Sequence, residues 1–89
     1  MEDKIKEIIN IVLEKNNKGK IEELNKEASL RDDLGMDSLD LAELTVRIED
    51  EFGVDLFEDG IIDKVGEIIE KISKRWLKWN YSFIIKIEI

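Results

Sequence analysis

Ile5, Ile8, Ile9, Val12 and Leu13 recur at i, i+3, i+4, i+7 and i+8 with polar residues on most positions between them. That spacing lays all five on one stripe and predicts an amphipathic first helix. The stretch NNKG at 16–19 stops it, with Asn17 or Gly19 suited to the left-handed cap. Its stop and the next start signal predict a loop of about 15–18 residues, long enough for a crossing connection. Ile21, Leu24, Leu30 and Leu34 are the residues that pin it to the core.

A second helix starts at Asp37 or Ser38, both good N-cap types, with Asp40 and Glu43 near the first turns, where the helix dipole favours negative charge. Leu41, Leu44, Thr45, Ile48 and Phe52 form its inward stripe; Gly53 stops it and Val54 closes over the end. The segment DLFEDG at 55–60 predicts a turn and one short helical turn. Val65, Ile68, Ile69 and Ile72 make the face of a last helix, which Trp76 extends if the period continues. From residue 80 the pattern changes to a period of two, with Phe83, Ile85, Ile87 and Ile89 on one side. A lone strand in a helical chain is left disordered, paired with a second copy or docked across a helix. The fold class expected is all-α, as a small bundle.

Composition narrows the chemistry. Eighty-nine residues suit one domain with a modest core. The chain has no cysteine and no histidine, which excludes disulfides, thiolate or imidazole zinc sites and histidine-dependent triads. No apolar run is long enough to span a membrane, and the N-terminus lacks the apolar core of a signal peptide, so a cytoplasmic, reducing setting is expected. The net charge of -8 is uneven: residues 1–31 sum to zero, 32–63 carry twelve acids against Arg47 alone, 64–73 sum to zero and 74–89 give +3. An acidic middle argues against nucleic acid as partner. It is either a solubilising face or one that steers basic protein partners.

That acidic segment holds Ser38. A nucleophilic serine needs a base, and ionised carboxylates are poor bases whose field opposes an alkoxide. Ser38 is therefore either a helix cap or an acceptor hydroxyl that another enzyme modifies, and the chain itself is not expected to be an enzyme. A calcium loop starting at Asp55 is met at Asp59 and Gly60 but fails at Phe57 and Gly66, so no dedicated metal site is expected.

The run LRDDLGMDSLDLAELTVRIEDEFGVDL at 30–56 resembles the central region of acyl carrier proteins, and the resemblance extends over about residues 2–73. It implies a four-helix bundle with a long first loop and a short third helix. It also implies 4′-phosphopantetheine attached to Ser38 of Asp37-Ser38-Leu39 by a phosphopantetheinyl transferase using coenzyme A. By the same resemblance Asp37, Asp40, Glu43, Glu49 and Asp50 are acidic contacts for basic patches on acyl-loading and acyl-transferring enzymes. Leu39 and Val46 are either apolar contacts beside them or ordinary surface. The implied function is to hold acyl groups as thioesters in fatty acid, polyketide or related biosynthesis. An aminoacyl or D-alanyl carrier and an unmodified acidic interaction module are the alternatives.

Departures from the family pattern lie further along. By that resemblance Phe57 stands where the family usually has proline, the path to Val65 is about two residues shorter, and Arg47 puts a cation on a helix usually acidic outside. Residues 74–89 have no counterpart in that pattern. Lys74, Arg75, Trp76, Lys78, Trp79 and Tyr81 can extend the last helix onto the bundle or touch a membrane surface. The chain is expected to be a monomer, with a tail-mediated dimer as the alternative.

Overall fold

The computed structural model describes residues 1–57, 60 and 62–74. Among them are three helices and no strand: α1 (Glu2–Lys15), α2 (Ser38–Phe52) and α3 (residues 65–74). The expected short third helix at 55–60 is a turn at Leu56 and Phe57 as far as it is described, since 58, 59 and 61 lie outside. The expected strand-like tail, and Trp76 on the last helix, lie outside the described residues as well.

The helical stripes meet as their spacing requires. Ile5, Ile8, Ile9, Val12 and Leu13 of α1 face Leu41, Leu44 and Ile48 of α2 and Val65, Ile68, Ile69 and Ile72 of α3 in one core. Burying each such side chain is worth roughly 1.5–3 kcal/mol, which is what holds the helices together. Val54 closes over the end of α2 after Gly53, whose φ of 68° is the left-handed cap. Met36, Leu56 and Ile62 are also buried, although no helical period marks them.

Residues 16–37 cross from the end of α1 to the start of α2 and carry no helix. Leu30 is fully buried, with Ile21, Leu24 and Leu34 packed at the core's edge. Side chains replace a ladder here. The Asn10 amide donates to the Ile21 carbonyl at 3.0 Å and accepts from its N–H at 2.8 Å. The segment then caps α3: Val65 N–H donates to Ala28 O and Gly66 N–H to Lys26 O, both at 3.0 Å. These are donors a helix start cannot satisfy internally. A Cβ on Gly66 would lie 3.0 Å from the Lys26 carbonyl oxygen, so any larger residue would push the Lys26 backbone back by a few tenths of an ångström.

Candidate functional site

The start of α2 is fixed by its own sequence. Asp37 is extended, and its Oδ1 accepts the Asp40 N–H at 2.9 Å while Asp40 Oδ2 accepts the Asp37 N–H at 3.1 Å. This reciprocal capping box makes Asp37 the cap and Ser38 the first helical residue. Ser38 is exposed, and no hydrogen bond engages its hydroxyl among the described residues.

Asp40 is not a surface contact, which corrects the expectation drawn from the resemblance. Its side chain is 2 % exposed and salt-bridged to Lys18. Asn16 Nδ2 donates to Oδ1 and Lys18 Nζ donates to Oδ2. A buried carboxylate persists only when its lone pairs are met in this way. The third position of α2 faces the end of α1, and that geometry supplies the partners. There Asn17 takes φ 58°, Lys18 N–H donates to Leu13 O at 2.8 Å and Asn17 N–H to Glu14 O at 3.1 Å. This pair of bonds closes the helix over its left-handed residue and turns Lys18 toward α2. The hydrogen bond to Asp40 holds the Lys18 pKa above its ordinary value, and nearby Asp37, 3.5 Å away, adds to this. The Asp40 backbone N–H, aided by Lys18, holds the Asp37 carboxyl below the usual range.

Further along α2, Glu43 is held by two cations. Arg47 Nε donates to it at 2.9 Å and Lys15 lies 3.3 Å away, and the Arg47 hydrogen bond is the main reason its pKa is lowered. Leu39 is 80 % exposed and Val46 58 %, seven residues apart on one face, with Ala42 between them and Glu49 and Asp50 exposed beside them. A cavity of about 360 Å³ is lined by Arg31, Ser38, Leu41, Ala42, Thr45 and Phe57. Thr45, expected in the inward stripe, is only half-buried; its hydroxyl donates to the Leu41 carbonyl at 2.9 Å, and its side chain forms cavity wall.

Sequence reasoning missed Asn16 and Lys18 as residues that position the site, and Arg31 as part of its wall. The first two sit in a stretch that reads only as a helix stop, and their partner is more than twenty residues away. Among the described residues no group of three or more acidic side chains is arranged to hold a metal ion. No helix among the described residues is long and apolar enough to cross a membrane.

The model for the phosphopantetheine attachment site matches residues 3–72. The chain belongs to the acyl carrier protein family. It is 47 % identical over 51 residues to an acyl carrier protein from Saccharopolyspora erythraea, covering 55 % of this chain and 54 % of that one. It is 46 % identical over 56 residues to acyl carrier proteins from two strains of Nitratidesulfovibrio vulgaris, covering 61 % of this chain and 74 % of theirs. The match thus spans about half the length of the first relative. Acyl carrier proteins are carriers rather than catalysts, and phosphopantetheine is the group the family bears. The residues here fit that group: an exposed, unengaged hydroxyl opens the helix, and a largely apolar cavity begins beside it.

Proposed function

We propose that Ser38 takes 4′-phosphopantetheine and that the chain presents acyl groups to partner enzymes of fatty acid, polyketide or related biosynthesis. In this reading residues 1–73 are the carrier body and 74–89 are an extension. When bound, the arm supplies a terminal thiol that holds an acyl group as a thioester. The chain's own residues anchor, expose and shelter. Ser38 has no base of its own, since Asp37 is committed to the Asp40 N–H and Lys18, so the transferase must bring one. The cavity walls of Leu41, Ala42 and Phe57 offer an apolar lining worth about 0.8 kcal/mol per methylene sheltered there.

Partner docking falls to Leu39 and Val46, flanked by Asp37, Glu49 and Asp50. Each exposed ion pair is worth roughly 0–1 kcal/mol, so several together give fast, reversible encounters rather than tight complexes. Glu43 contributes less than its charge suggests, because Arg47 and Lys15 already hold it.

The observation that carries this reading is an exposed serine as first residue of a capped helix within the Asp-Ser-Leu frame. Incubation with coenzyme A and a phosphopantetheinyl transferase of broad scope should add the mass of one phosphopantetheine, and Ser38→Ala should abolish it. A wild type that stays unmodified with several such transferases would overturn the proposal.

A further inference from the structure

We infer that Arg31 receives the phosphodiester of the arm, because Arg31 and Ser38 line the same cavity and Arg31 is the cation among the described residues of its wall. This rests on the reading that Ser38 carries the arm. Lys15 is committed to Glu43, Lys18 to Asp37 and Asp40, and Arg47 to Glu43. Arg31 makes no ion pair among the described residues.

Its backbone is held in place. Ser29 Oγ donates to Asp63 Oδ1 at 2.7 Å and accepts the Asp32 N–H at 3.0 Å, while Ser29 N–H donates to Asp33 Oδ2 at 2.6 Å. Leu30 N–H donates to Asp63 O at 2.7 Å, and the Leu30 side chain is buried in the core. Arg31 therefore stands on a turn fixed before and after it, with its own side chain exposed.

A phosphodiester is a monoanion at neutral pH, with two unesterified oxygens that match the planar fork of a guanidinium. Formed on Ser38, it enters a segment with twelve acids against one base, where an unassisted anion is repelled. Arg31, at the boundary of that segment, offsets the repulsion. It then acts as a positioning residue, keeping the first atoms of the arm over the wall made by Leu41, Ala42, Thr45 and Phe57.

The test uses the full chain loaded from coenzyme A, as wild type, Arg31→Gln, Arg31→Lys and, as a control cation, Arg47→Gln. Each is taken to complete conversion by intact mass, with its amide spectrum confirming the fold. Phosphorus NMR should show a line in wild type broader than that of free phosphopantetheine and displaced from it. Arg31→Gln should move and sharpen it toward the free form, Arg31→Lys should fall between, and Arg47→Gln should leave it in place. High salt should shrink the difference between wild type and Arg31→Gln. Identical phosphorus shifts and linewidths in wild type and Arg31→Gln would overturn the inference and leave the carrier reading standing. Failure of wild type to load would overturn the carrier reading itself.

Discussion

Asp37 and Asp40 are one residue type three positions apart, and the fold uses them in opposite ways. Asp37 caps the helix from the surface, whereas Asp40 is enclosed by Asn16 and Lys18. Asp40→Ala removes a cap partner and leaves the Lys18 ammonium and the Asn16 amide short of an acceptor, at a cost of about 2–3 kcal/mol. Urea denaturation should register that loss. Glu49→Lys touches only solvent-facing charge, so it should weaken partner binding with the denaturation midpoint nearly unchanged. The same residues set a pH response. Asp37 titrates below its ordinary 3.8, so its stabilisation is complete above that value and lost as pH falls through the lower folded one. Lys18 titrates above its ordinary 10.5, so its stabilisation is complete below that and lost as pH rises through the higher folded one. Glu43, held below its ordinary 4.5, adds to the acid side, so thermal midpoints should fall as pH drops below about that value and again as pH rises past 10.5, and Lys18→Met should lessen the alkaline decline.

At the scale of elements, the three helices were legible because each repeats its apolar residues at helical spacing, and the first two stop at Asn17 and Gly53. Ser38 was legible because capping chemistry is local. The hydrogen bonds of the crossing segment were not, because they join residues with no periodic relation, such as Asn10 to Ile21 and Ser29 to Asp63. Nor was the burial of Asp40, since an acid three residues past a cap reads the same whether α1 ends against it or not. The close contact at Gly66 can be tested directly. Gly66→Ala gains helix propensity, but its methyl meets a Lys26 carbonyl that the bonds of 26–30 hold in place. The net effect should be a loss of about 1 kcal/mol. Hydrogen exchange should speed up at the Val65 and Gly66 amides.

For the whole molecule, the middle segment's excess of negative charge opposes its own compaction while attracting basic partners. Added salt should therefore raise the thermal midpoint and slow partner association together, a pairing that differential scanning calorimetry and stopped-flow binding can check. One contact ties these long-range effects to the anchor point: the Ser29 hydroxyl reaches Asp63, thirty-four positions downstream and just ahead of α3. A fragment ending at Gly53 would keep the Asp-Ser-Leu tripeptide and all of α2, yet lack the downstream carboxylate that fastens the neighbouring turn. A peptide tag cut from this protein is thus a poorer mimic than its motif suggests, and grafting the site onto another scaffold requires transplanting both ends of that clasp.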